Sequence, residues 1–249
     1  MQPFLNDRPA TNRAEGGTLY LISTPIGNLG DITLRALQML EEVDLIAAED
    51  TRHSQKLLHH YNIAKPLFSF HEHNKEQKTP YVLRQLRAGK SVALISDAGT
   101  PAISDPGFHL IREVIRAEIP VTAVPGATAA IPALILSGLP VHQFVFAGFP
   151  PVKKGRRSFF EDLKDDSRTI VIYESPYRVL KTVTDIEKYL GDRNIAVARE
   201  LTKKFEEILR GTVSGLAKKM AEKPLKGEFV IVIEGLNKKA LKKKASDES

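Results

Sequence analysis

The sequence predicts an α/β protein of two α/β domains, on three observations. From residue 18 onward, short β-rich apolar runs alternate with segments of helical period, the βαβ pattern of a largely parallel sheet covered by helices. Several runs end in loops rich in Gly and Pro. The rhythm breaks between residues 137 and 157, where Gly138, Pro140, Gly148, Pro150, Pro151 and Gly155 surround a single strand. A boundary there gives domains over 17–143 and 144–236, with a flexible leader over 1–16 and a basic tail over 237–249.

In order, the first domain is expected to hold strands at 18–23, 43–47, 67–70, 91–96 and 121–124. Leu34, Leu37 and Leu40 mark one intervening helix by their spacing, and Phe108, Ile111 and Ile115 another. Asp105-Pro106 and Ser175-Pro176 each set a capping side chain before a proline at a first helical position. Beyond the boundary the pattern predicts a strand at 144–149, a helix at 153–163, a strand at 169–173 and a helix at 176–190. A strand at 195–199, a return segment at 206–210, a helix from Thr212 and a final strand at 229–234 complete the second half.

Composition narrows the function classes. The absence of cysteine among 249 residues excludes disulfides, thiolate zinc sites and a cysteine nucleophile. No apolar run reaches membrane-spanning length, and the polar leader lacks the core of a secretory signal, so a cytoplasmic protein is expected. The formal net charge of +6 favours a polyanionic partner. Part of that excess is the tail around Lys242, Lys243 and Lys244, which reads as a solvated end.

Ligands of open α/β sheets bind beyond the carboxyl ends of the strands, and three loops there stand out. They are Thr24-Pro25-Ile26-Gly27-Asn28 after the first strand, 97–107 after the fourth and Pro125-Gly126-Ala127-Thr128 after the fifth. Any one alone reads as a turn, but the fourth-strand loop holds more rigidity and polarity than a connection needs. None matches a P-loop or a Gly-x-Gly-x-x-Gly fingerprint, which leaves nucleotide hydrolysis and hydride transfer without support.

These residues resemble the tetrapyrrole methylase family. The run 17–31, opening Gly17-Thr18-Leu19-Tyr20, is similar to the start of its branch that methylates the ribose 2′-oxygen of a decoding-centre cytidine in 16S ribosomal RNA. Ala48-Glu49-Asp50-Thr51-Arg52, the run 96–107, Val124 through Ala129 and Glu174-Ser175-Pro176-Tyr177-Arg178 are similar to the same branch. So are Arg199-Glu200-Leu201-Thr202-Lys203 and Gly227-Glu228-Phe229-Val230, and the likeness runs from 17 to 235. The resemblance implies S-adenosylmethionine folded in a cleft between the two domains, and a homodimer. It implies that Pro25 and Gly27, with Asp97, Gly99, Thr100, Ile103 and Ser104, hold its methionine and ribose parts. Thr128 and Ala129, with main chain near Tyr173, would complete the adenosine pocket.

A ribose hydroxyl is a poor nucleophile, so the reaction needs in-line placement and a destination for the proton. Asp50, Glu49 and Glu200, at strand ends, are candidate bases, with Lys203 to steady developing charge and Arg52 to hold a neighbouring phosphate. The same residues also read as ion pairs at strand ends. Lys153, Lys154, Arg156, Arg157 and Arg178 form a candidate RNA-binding cluster, with Tyr177 or Phe149 to stack on a base, against the alternative of a solvated helix start. His71, Glu72 and His73 read as a rim loop rather than a metal site, and His59 with His60 as a solvated helix face. Two rivals stay open: the same fold acting on a tetrapyrrole or other small molecule, and a non-catalytic RNA-binding ribosome-assembly factor.

Overall fold

A computed structural model describes residues 13–103, 107–222 and 226–236. Most of the expected leader, the lysine-rich tail, Ser104 and the Asp105-Pro106 cap lie outside the described residues. The chain forms two compact units, Met1–Thr128 and Ala129–Ser249.

The first unit is built on β1 (Leu19–Ile22), β2 (Leu45–Ala48), β3 (Leu67–Ser69), β4 (Val92–Ile95) and β5 (Val121–Val124). All pair in parallel in the order β3-β2-β4-β1-β5. Its helices are α1 (Leu34–Glu42), α2 (Thr51–His60), α3 (Lys75–Arg87) and α4 (Gly107–Arg116). Tyr20, Ile22, Ile46, Ala48 and Ile95 face Leu37 and Leu40 of α1 and Leu58 of α2. Leu19, Ala47, Val92 and Leu94 face Val82 and Leu86 of α3 and Leu110 and Val114 of α4. Burial on both faces explains why these strands read as unbroken apolar runs. From β1 the chain therefore leaves toward one face, and from neighbouring β4 toward the other. That divergence is a topological switch point, and ligands of open α/β sheets bind beyond the carboxyl ends of the strands there.

The α4 stripe runs differently from the expected one. Phe108 and Ile115 are exposed, whereas Leu110 and Val114 are sealed. Both sets share helical spacing, so period alone does not choose which one meets the sheet.

The second unit comprises α5 (Ala130–Ser137), β6 (Phe144–Gly148), α6 (Arg156–Leu163), β7 (Thr169–Glu174), α7 (Val179–Leu190), β8 (Asn194–Arg199), β9 (Glu207–Thr212), α8 (Val213–Ala221) and β10 (Phe229–Ile233). The strand order is β6-β7-β10-β8-β9, with only β6 and β7 parallel. This sheet is mixed, not largely parallel: β10 runs antiparallel between β7 and β8, and a short connection returns β9 antiparallel beside β8. Phe160, Val183, Ile186, Leu216 and Met220 from α6 to α8 cover Ile170, Ile172, Val197 and Ile231 on one face. α5 packs on β7, β8 and β10, and its Ala130 N–H donates to the hydroxyl of Tyr173 at 3.1 Å.

The compact unit thus begins with α5, whereas the sequence reading carried the first domain to Gln143. The Ala-Ile-Pro-Ala-Leu-Ile-Leu run of α5 is apolar all round, so no stripe tells which sheet it serves. α7 also starts later than expected. Arg178 and Val179 both donate their N–H to Ser175 O, at 3.1 and 3.0 Å, so Pro176 opens a turn that precedes the helix.

Candidate functional site

The loops after β1, β4 and β5 are knitted together by hydrogen bonds. Thr24 and Gly99 exchange backbone bonds, N–H to O at 2.9 Å one way and 3.0 Å the other. Thr24 Oγ1 donates to Ser96 O at 3.1 Å, and Ser23 N–H donates to Val124 O at 3.2 Å. The Ser23 and Thr100 hydroxyls lie 3.0 Å apart, and Thr100 Oγ1 donates onward to Ala127 O at 3.3 Å. Asp97 accepts the Asp50 N–H on Oδ1 at 3.0 Å, which ties the end of β2 to the same loop. Each short polar side chain here holds backbone in a non-repetitive path, which a regular ladder cannot do.

Two glycines show how closely the loops approach. Gly99 has φ +82°, and a Cβ on it would sit 3.3 Å from Ile26 Cγ2 and 3.6 Å from Ala127 O. A Cβ on Gly126 would meet Ser23 Cβ at 2.9 Å. Ala102 holds a left-handed φ of 72° without being glycine, and such strain gathers where a loop is shaped for a task. Pro25 is buried, Gly27 exposed and Ile103 44% exposed, so the loops offer both backbone and an apolar side chain to a ligand. Thr128 closes the first unit beside Gly99, whose Cβ position lies 4.0 Å from Thr128 Cα. In the second unit, Ala129 precedes α5 and Tyr173 is braced edge-on by Phe146 and Phe149, at 4.9 and 5.6 Å between ring centres.

Asp50 caps α2. Its Oδ1 accepts the Arg52 N–H at 2.8 Å, and the Arg52 guanidinium bonds both carboxylate oxygens, at 3.2 and 2.8 Å. The Arg52 side-chain and backbone bonds hold the Asp50 carboxyl far below the usual carboxylate range. Asp50, held that low, is a poor resting base, and it orients Arg52 in a surface ion pair. The Arg52 side chain remains 89% exposed.

The second charged cluster lies in the turn between β8 and β9. Lys203 Nζ is 3.0 Å from Glu200 Oε1 and 3.1 Å from Glu228 Oε2, and the Glu228 N–H donates to Glu200 Oε1 at 3.0 Å. Burial alone would raise the Glu200 carboxyl, but the Glu228 N–H and Lys203 outweigh it and leave it lowered. Burial likewise works against the Lys203 ammonium, and its two carboxylates outweigh it and raise that group. Glu200 and Thr202 have φ of 50° and 67°, and Gly227, at φ +101°, leaves the space that Glu200 fills.

The basic cluster after β6 divides. Arg156 is buried: it donates to Asp185 at 2.7 Å, to Thr182 Oγ1 at 2.7 Å and to Pro151 O at 3.1 Å. Arg178 pairs with the sealed Glu174 carboxylate at 2.6 Å and donates to Pro150 O at 3.2 Å. Arg156 is thus a structural cation, contrary to its expected place on an RNA surface, because Glu174 and Asp185 need a buried partner. Lys153, Lys154 and Arg157 are exposed, and so is Tyr177 at 95%. Nothing in the spacing of Glu174, Thr182 and Asp185 announces this network; a lone Glu at a strand end reads as solvated. Glu228 stood in the sequence reading only within the run Gly227-Glu228-Phe229-Val230, without a role, since only the fold brings β10 beside β8. His71 Nε2 lies 3.2 Å from Asn74 Nδ2, Glu72 pairs with Lys75, and no group among the described residues has the makings of a metal site.

The family model of the Tetrapyrrole (Corrin/Porphyrin) Methylases matches residues 18–217. A protein of Pasteurella multocida (strain Pm70) named ribosomal RNA small subunit methyltransferase I is 52% identical over 88% of this chain and 79% of its own. One of that name from Bacillus subtilis (strain 168) is 47% identical over 90% and 77%. The solved cobalamin biosynthetic enzyme cobalt precorrin-4 methyltransferase matches the fold with a TM-score of 0.66 at 20% identity, over 92% of this chain and 98% of that one.

Proposed function

The chain belongs to the tetrapyrrole (corrin/porphyrin) methylase family, and we propose that it transfers a methyl group from S-adenosylmethionine to the ribose 2′-oxygen of a decoding-centre cytidine in 16S ribosomal RNA. One observation carries the reading: in a chain about half identical to small-subunit ribosomal RNA methyltransferases, the loops after β1, β4 and β5 are fused into one scaffold beyond the carboxyl ends of the parallel sheet.

The residues present suit the cofactor. Backbone at Pro25, Gly27, Asp97, Gly99 and Thr100, with Thr128 and the exposed Ile103, would hold it in the first unit; Ala129 and Tyr173 are the candidates that the second unit offers. When bound, it supplies an electrophilic methyl group on a sulfonium. The protein's task is then placement and charge. Arg52, steered by Asp50, presents a fixed cation to a substrate phosphate. Lys203, steered by Glu200 and Glu228, steadies negative charge developing on the 2′-oxygen. Both carboxylates are stabilised as anions, which favours a positioning role for each and leaves the hydroxyl proton to solvent or phosphate. Lys153, Lys154, Arg157 and the partly exposed Arg178 add positive potential toward the RNA.

A homodimer is part of this proposal, supported by the exposed Ile131, Ile135 and Leu136 of the apolar helix α5. No helix among the described residues is long and apolar enough to cross a membrane, and the cytoplasm, where ribosomes assemble, is the compartment proposed. The test is transfer of labelled methyl from S-adenosylmethionine to small subunits lacking the modification, set beside uroporphyrinogen. Label in the RNA alone supports the reading. Label in the tetrapyrrole, or failure to bind S-adenosylmethionine in calorimetry, contradicts it.

A further inference from the structure

The sequence Thr51-Arg52-His53-Ser54-Gln55-Lys56-Leu57-Leu58-His59-His60 turns Ser54, Leu57 and Leu58 into the sheet and leaves the other face of α2 to solvent. Arg52, Gln55, Lys56, His59 and His60 follow one another at helical spacing, so they form one stripe along that outer face. An open groove of about 540 Å³ lies along the stripe, with Leu29 as its opposite wall. A second groove of about 400 Å³ shares Gln55 and His59 and brings in Lys65. Neither groove is lined by a carboxylate. The far wall is fixed: the Tyr61 hydroxyl donates to Leu29 O at 2.6 Å, and the His60 ring meets Tyr61 edge-on at 4.7 Å.

We infer that this face of α2 is a track for the phosphate backbone of the RNA substrate, leading from Arg52 at the candidate site outward past Lys56 to Lys65. The inference rests on the ribosomal RNA reading and adds a binding path to it. Three features favour an RNA backbone over a single bound anion. The groove is open, so it does not enclose a ligand. The helical rise sets Arg52 and His59 about 10 Å apart, a span that a run of backbone phosphates covers and a single anion does not. Its inner end is continuous with the scaffold through Asp50, which holds Arg52 on one side and donates its N–H to Asp97 on the other. Lys56 and Lys65 supply charge, and Gln55 and the imidazoles hydrogen-bond donors, without an acidic residue in the lining to repel phosphate.

Binding of the full-length protein to undermethylated small subunits, measured over a salt series, tests this. Lys56→Gln should reduce the slope of log K against log salt by about 0.7 to 0.9, the loss of one phosphate contact. The triple variant K56E/H59E/H60E should weaken binding roughly tenfold or more, while cofactor affinity and the rate at saturating substrate stay within about twofold of wild type, since a lost contact costs binding and not chemistry. Gln55→Lys adds a cation to the same stripe and should tighten binding and steepen the slope, an effect that misfolding cannot imitate. Unchanged slopes in Lys56→Gln and Gln55→Lys, with wild-type protein methylating the subunits, overturn the α2 track alone. Wild-type protein that neither binds nor methylates small subunits overturns the ribosomal reading and the track with it.

Discussion

Thr24 and Gly99 exchange both backbone hydrogen bonds, at 2.9 and 3.0 Å, across the carboxyl ends of β1 and β4. This isolated antiparallel bridge, set in a parallel sheet, makes two loops one object. Gly99 sustains it at φ +82°, a conformation that costs a side-chain-bearing residue on the order of 1 to 2 kcal/mol.

Gly99→Val should therefore lose stability by about 1 to 3 kcal/mol and bind S-adenosylmethionine at least roughly tenfold more weakly, because the β-branched side chain strains φ and presses Ile26. Thr128→Trp should weaken cofactor binding with little change in stability. Urea unfolding and calorimetry measure both. Wild-type affinity in the two variants would move the pocket elsewhere.

The Asp50 pair predicts coupled behaviour. Asn caps helices as well as Asp, so Asp50→Asn should leave stability within about 0.5 kcal/mol of wild type. Its single-turnover methylation rate should nonetheless fall roughly tenfold to a hundredfold, through loss of the anchor for Arg52. Arg52→Gln should fall by a similar factor, and the double variant little further, since both remove one interaction. Additive losses would instead give Asp50 a role of its own.

Lys203→Ala should lower the methylation rate by roughly a hundredfold while cofactor affinity stays within a few-fold. The cluster also sets a pH window. The Glu200 carboxyl is lowered from 4.5, so its contribution to stability is present above that value and lost as pH falls through its folded value. Lys203 is raised from 10.5, so its contribution is present below that value and lost as pH rises through the folded one. Between these limits the wild-type pair should contribute evenly to stability. Melting temperatures across pH, compared with Lys203→Ala, read this directly, and identical profiles would contradict the pairing.

Arg156 should behave as a core residue. Arg156→Ala removes the buried donor to Asp185 and Thr182, leaving Glu174 to Arg178 and Asp185 to Lys181, and should destabilise the protein by about 1.5 to 3 kcal/mol. Replacing Lys153, Lys154 and Arg157 together by Gln should leave stability within about 0.5 kcal/mol and flatten the salt dependence of RNA binding. An Arg156→Ala protein as stable as wild type would return that residue to the surface.

Much of this was legible in the sequence, and the exceptions share a cause. β5 matched residue for residue, because apolar β-formers between Pro120 and Pro125 leave a single reading. The loops at Pro25, Gly99 and Gly126 were visible through residue types that only special backbone paths require. α5 was assigned to the wrong side of the boundary for a sheet it packs on, since a helix apolar all round carries no directional stripe. Arg156 looked like its exposed neighbours Lys153 and Lys154, since its partners Thr182 and Asp185 are distant in sequence. Local chemistry showed where the backbone is unusual; which charges meet depended on tertiary packing.

The most direct test of the central claim is mass spectrometry of ribosomal RNA nucleosides from cells with and without this protein. Loss of one 2′-O-methylated cytidine from the decoding centre of 16S ribosomal RNA, restored by the wild type and not by Gly99→Val or Lys203→Ala, is the predicted result. An unchanged set of methylated nucleosides in the cells lacking the protein would contradict it.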